Sequence, residues 1–306
     1  MIFDKPEIFY KEFPYKYWLF KAEMLYKMIE SNETAFHDKD GNLEALGASS
    51  KEFQQMLKYE LHFTYYHQTE ALFELIFALE KVMGESKYVW LEMSQYKAGD
   101  MQKFAGKIKR LANGSDELRS KKVNLTDGRK ISFFEWLIFD SFVPKIEKSE
   151  DQVKVSTEQV DDIILFSAKD LSDKKEYNAF KHGMRVLHLF DNFKIGDKGK
   201  NKFELNFDLE NSFTYLNYPK DKQRSDGKAG DVQAVTKGYS PKQDLMKIKL
   251  ITMLMTGIIE VRKMRFFGTG RIMEFLEFDI NKKLAELSPR TENLTYTLHA
   301  KSEDDD

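Results

Sequence analysis

Three side chains able to do chemistry share one short segment, EYNAFKHGMRV, at residues 176–186. On a helix of 100° per residue, Asn178, His182 and Arg185 fall at about 0°, 40° and −20°, so one face presents all three. An imidazole titrates near pH 6.5, which suits His182 to taking and returning a proton near neutrality. On the same turns Asn178 offers a carboxamide, and Arg185 and Lys181 offer cations. Tyr177, Phe180, Met184 and Leu187 make an adjoining apolar stripe, which places the polar trio at the border of the core. Gly183 costs about 1 kcal/mol of helix propensity relative to Ala. A ligand or a second backbone coming close beside His182 would explain it. Hydrogen-bonded packing at a helix crossing accounts for the same residues without any catalysis.

The run Tyr177-Asn178-Ala179-Phe180-Lys181-His182 resembles the Arg-Asn-x-x-x-His motif of HEPN domains, all-helical modules of which many are metal-independent ribonucleases. The resemblance covers these six residues and their helical setting. It implies an RNA or nucleotide partner, no cofactor, a homodimer, and cleavage in which His182 is the acid/base and Asn178 assists at the phosphate. Tyr177 stands where the family carries Arg, so the phosphate-stabilising charge has to come from elsewhere; Arg185 lies on the right face, and Lys181 is a further phosphate-binding candidate. The competing expectation is a non-catalytic interaction or scaffold protein that presents the 203–231 hairpin and loop to a partner.

Cationic side chains bind phosphate backbones by releasing counterions, so clusters of them mark further candidates. Between Lys97 and Lys130 ten Lys/Arg stand against four Asp/Glu. Such a run is either a solvated face or a phosphate footprint. Arg262 and Arg265, near the end of an apolar segment, suit phosphate binding or complement a helix dipole. A polar stripe of Glu60, His67, Glu70 and Glu74 crosses an otherwise apolar helix. It reads as a hydrogen-bonded network or as half of a carboxylate–histidine metal site. The order His67-x-x-Glu70 is reversed from the usual one and no second segment matches it, so no metal is expected.

The elements holding these residues are mostly helices. The chain has 306 residues, a 42% hydrophobic share with 25 Phe and 14 Tyr, and a net charge of −2. It can bury a sizeable core and is no polyelectrolyte. Having no cysteine, it has no disulfide, thiolate metal site or cysteine nucleophile, which fits a cytoplasmic protein. The N-terminal MIFDKPEIFYKEF lacks the apolar run of a signal peptide. LITMLMTGII, at 250–259, is far short of the roughly 20 residues a membrane span needs. Phosphate-binding P-loops, dinucleotide fingerprints, HExxH and GxSxG are all missing.

Capping-box patterns at Ser49-x-x-Glu52, Ser156-x-x-Gln159 and Ser240-x-x-Gln243 predict long helices over 49–84, 156–171 and 240–267. Shorter helices are expected at 15–31, 87–112, 131–143, 173–191 and 270–287, with stops at Gly84, Gly99 and Gly268. Alternation at 203–210 predicts a strand, paired in a hairpin with 213–218, and 232–236 can return as a third. The charged stretch 219–231 reads as a mobile loop. The expected fold is mainly α, a multi-helix bundle with a small antiparallel β-hairpin insertion. One helical domain spans 1–300, with the insertion near 202–236 and a disordered acidic tail at 301–306.

Overall fold

The computed structural model describes residues 6–31, 50–83, 89–94, 98–142, 150–181, 186–187, 192–197, 202–217, 232–273, 278–289 and 293–298. In chain order the elements are α1 (Pro6–Glu12), α2 (Tyr17–Ser31), α3 (Ser50–Lys81), α4 (Val89–Ser94), α5 (Ala98–Ala112), β1 (Lys122–Asn124), β2 (Lys130–Ser132), α6 (Phe133–Phe139), α7 (Glu150–Ser172) and α8 (Lys174–Lys181). There follow β3 (Asn192–Asp197), β4 (Lys202–Asp208), β5 (Ser212–Asn217), β6 (Val232–Gly238), α9 (Pro241–Phe267), α10 (Ile280–Glu286) and β7 (Asn293–Leu298). The fold is mainly α with short antiparallel strands. Where a single helical domain is expected, packing separates two compact units. One is Met1–Ser172 with Leu245–Leu284, and the other is Asp173–Asp244 with Ala285–Asp306.

The first unit is built around helices with few exposed faces. Helix α6 buries Phe133, Phe134, Trp136, Leu137, Ile138 and Phe139, almost its whole length. Helix α9 buries Ile248, Ile251, Leu254, Met255, Ile258 and Ile259 with hardly an amphipathic stripe, the pattern of a core helix. Polar bonds tie α3, α7 and α9 together. Tyr65 donates to Asp170 Oδ2 at 2.6 Å, Lys247 reaches the same oxygen at 2.7 Å, and Gln68 Nε2 donates to Thr252 Oγ1 at 2.6 Å. Among the described residues no helix is long and apolar enough to cross a membrane.

Helix ends test the capping patterns directly. Ser240 Oγ accepts from the Gln243 amide at 3.3 Å, and α9 stops at Gly268, whose φ of 64° favours glycine. The Ser156 box does not start a helix. Helix α7 begins at Glu150, where Glu150 and Asp151 complement the positive end of the dipole, and Ser156 lies buried inside it. A box that works was not among those expected. Ser132 Oγ accepts from Glu135 N at 3.1 Å while the Glu135 carboxylate accepts from Ser132 N. Segment 87–112 forms two helices rather than one, with Gly99 inside α5. Segment 270–287 is helical only over α10. Ser49, Gly84, the 219–231 loop and the 301–306 tail lie outside the described residues.

Within the second unit the strands pair differently from the expected hairpin. Strand β4 pairs with β3, which begins just beyond the segment expected to end a helix at 191. Strand β5 pairs with β6, and β6 with β7, giving the order β5-β6-β7. Buried Leu209 and the bond from Ser212 Oγ to Leu209 O (2.7 Å) turn the chain between β4 and β5, so the two do not pair. The anticipated third strand is present as β6. A buried Thr214–Thr236 hydroxyl pair at 2.7 Å fixes the β5–β6 register.

Candidate phosphate-binding groove

Three cations of the basic run, Lys103, Lys107 and Arg110, line one groove. The last turns of α3 and the middle of α5 enclose about 360 Å³, lined by Phe77, Glu80, Lys81, Lys103, Phe104, Gly106, Lys107 and Arg110. Helix α5 forms because Phe104, Ile108 and Leu111 recur at helical spacing and bury one face, leaving Lys103, Lys109 and Arg110 outward. Phe77 and Phe104 meet edge to face at 5.4 Å and close the floor. Four cations and one carboxylate line the recess, so its field is positive.

Neighbouring acids hold several of these cations. Lys107 pairs with Glu80 and sits 4.4 Å from the Phe77 ring centre. Lys121, just before β1, reaches Glu80 Oε1 at 2.9 Å. Lys81 pairs with Glu92 at 3.0 Å and Arg110 with buried Asp116 at 3.4 Å, while Asp116 Oδ1 also accepts from Leu118 N at 2.9 Å. Burial pushes the Glu80 pKa up, but hydrogen bonds and charge from Lys107 and Lys121 outweigh it and hold the carboxyl below its ordinary value of 4.5.

The sign of that shift sets a pH dependence. A lowered folded-state pKa means the bridge stabilises fully above about pH 4.5 and is lost as pH falls through the folded value. Urea unfolding of wild type and Glu80→Gln should therefore differ at pH 6, and the gap should narrow as pH falls below 4.5. A gap that persists unchanged at the lower pH would show that the bridge is not its source.

The other candidates fare unevenly. On α8, Asn178 and Lys181 are exposed, while Glu176, Tyr177 and Ala179 supply the buried face. Asn178 therefore does not border the core as expected. Lys181 Nζ lies 5.1 Å from the Tyr177 ring centre, and Tyr177 is only 6% exposed, so the residue at the motif's Arg position faces inward. His182, Gly183 and Arg185 lie outside the described residues. Asp173 and Glu176 both pair with Lys237 of β6, which pins the start of α8 to the sheet. Beside them burial, more than any charge, pushes the Tyr215 hydroxyl up to about 12.

Arg262 is a correction. It is 2% exposed, and its Nη1 donates to the Leu137 and Ile258 carbonyls at 2.7 and 2.9 Å. Its guanidinium lies 4.6 Å from the Trp136 ring centre. A side chain so enclosed is a core element and cannot meet a phosphate backbone. Arg265 is partly exposed but engaged by both Asp140 oxygens at 3.2 and 3.3 Å. Glu60 of the polar stripe pairs with Lys21 of α2, and His67 packs 4.0 Å from the Phe63 ring. Among the described residues no three or more His or acidic side chains converge as metal ligands.

Glu80 escaped the sequence reading because its partner Lys121, inside the basic run, stands 41 positions away. The basic run itself was the signal that led to the groove. A recess of similar size in the second unit, lined by Asp208, Glu210, Asn211, Tyr239 and Ser240 among others, is acidic and unsuited to a polyanion. Comparison of this chain with protein-family models, with curated proteins and with solved structures finds no match in any of the three.

Proposed function

We propose that the protein binds single-stranded RNA through its phosphate backbone, with the α3–α5 groove as the principal contact. The observation that carries this reading is the convergence of Lys81, Lys103 and Arg110, beside the Glu80-held Lys107, on one recess with an apolar floor. Cations around a groove neutralise successive phosphates without reading sequence, so binding of this kind is salt-dependent and sequence-tolerant. The HEPN resemblance adds cleavage, with His182 as acid/base and Asn178, exposed on α8, orienting the phosphate. A homodimer and a cytoplasmic location belong to the same reading.

Fluorescence anisotropy with a labelled oligouridine, titrated from 50 to 200 mM salt, tests the binding. Affinity should fall with a log–log slope of about −0.7 for each phosphate neutralised, so three contacts give roughly −2. A slope near zero, or no binding at 50 mM salt, removes the RNA reading. The same oligonucleotide reports cleavage by wild type and His182→Ala. A positioned acid/base is worth about 10²–10⁴ in rate, so equal rates in the two proteins would take His182 out of the mechanism.

A further inference from the structure

Two lysines from different parts of the fold converge on one carboxylate at the groove wall. Lys107 comes from α5 and Lys121 from the approach to β1, and both bind Glu80 on α3. Two ammonium groups on a pair of oxygens is the arrangement that a phosphate would itself take up. The Glu80 side chain is 18% exposed, and those of its partners are 21% and 30% exposed. Water reaches the bridge, and so can a dissolved anion. We infer that Glu80 is a built-in competitor for anions: its carboxylate occupies a phosphate position and withholds Lys107 and Lys121 from the ligand.

Resting on the RNA-binding reading, this assigns Glu80 the role of setting affinity at that site. The groove as it stands has the charge of Lys81, Lys103 and Arg110 to offer, with Lys81 shared with Glu92 and Arg110 with Asp116. Removing the Glu80 charge adds a fourth position at which two cations already face one point. A purely structural pin between α3 and α5 would have the same contacts but a different consequence, because its loss would loosen the groove and weaken binding.

Glu80→Gln keeps the shape and removes the charge. It should bind labelled oligouridine about fivefold more tightly at 0.1 M salt, with a log–log slope steeper by about 0.7, the values for one more phosphate neutralised on a single strand. Adding Lys107→Ala and Lys121→Ala together to Glu80→Gln should abolish the gain, whereas Lys121→Ala alone should leave affinity and slope unchanged, since that lysine is withheld in the wild type. Unchanged or weaker binding by Glu80→Gln overturns the inference while wild-type binding keeps the RNA reading. If Glu80→Gln fails to fold, Lys121→Ala alone decides: a fivefold loss with a shallower slope shows Lys121 already serving the ligand and overturns the inference. Inorganic tripolyphosphate is the second probe. If wild type ignores RNA but Glu80→Gln binds tripolyphosphate, Glu80 is the competitor and the RNA reading fails. If neither protein binds either probe, both fail.

Discussion

Replacing Arg262 with alanine is expected to remove roughly 3–5 kcal/mol of stability, the usual cost of breaking a buried, hydrogen-bonded charge. Three losses combine there. The Leu137 and Ile258 carbonyls lose the Nη1 donor, and a buried acceptor left without a partner costs about 1–3 kcal/mol. The guanidinium that covers the Trp136 ring disappears, opening a cavity in the core beside α6. Asp140, 2% exposed and held at a φ of 49°, loses the charge of Arg262 and keeps its pairing with Arg265. Arg262→Met fills most of the volume and should cost clearly less than the alanine variant. Urea unfolding followed by tryptophan fluorescence checks both, since Trp136 reports on this part of the core. A loss below about 1 kcal/mol for Arg262→Ala would mean that the guanidinium contributes little net stability.

The double variant Lys103→Glu/Arg110→Glu should weaken RNA binding by at least about 25-fold at 0.1 M salt. With a slope of about −0.7 per phosphate, each contact is worth a factor of about 5 at that concentration, and two are lost. Charge reversal adds repulsion, so the effect should be larger at 50 mM salt and shrink towards 200 mM. Helix α5 keeps its buried face of Phe104, Ile108 and Leu111, so circular dichroism should show the fold retained, with a lowered thermal midpoint because buried Asp116 loses Arg110 and meets a second carboxylate. The control is the corresponding reversal Lys181→Glu on α8. If that substitution weakens binding as much and the α5 pair does not, the contact lies on α8.

How legible this site was depended on the distance over which each feature is determined. The basic run, the apolar character of α9 and the Ser240 cap are local properties, readable within a few residues. A four-residue pattern is also easy to match by accident. Ser156-x-x-Gln159 has the right letters but sits inside a helix whose acidic first turn starts it at Glu150. Strand pairing depends on partners elsewhere in the chain, and the alternation at 203–210 could not reveal that β3 rather than β5 lies alongside. Arg262 shows the same limit for a side chain. Its position near the end of α9 suggested a cation facing solvent, but it donates to a carbonyl 125 residues earlier in the chain. The groove needed both kinds of information, since three of its cations stand in one run while Lys81 and Glu80 come from a different helix.

The first unit is assembled from two separated stretches of chain, and this bears on its synthesis. Helices α1 to α7 are complete by Ser172, but the body of α9, which supplies much of their shared core, begins at Leu245. About seventy residues of the second unit are translated in between. At the usual 5–20 residues per second the ribosome takes roughly 4–14 s to cover them. During that interval Gln68 has no Thr252 to donate to, and Trp136 has no Arg262 above it. The apolar faces of α3 and α6 stay open to water and to other nascent chains. The core of the first unit therefore closes only after α9 has left the ribosome.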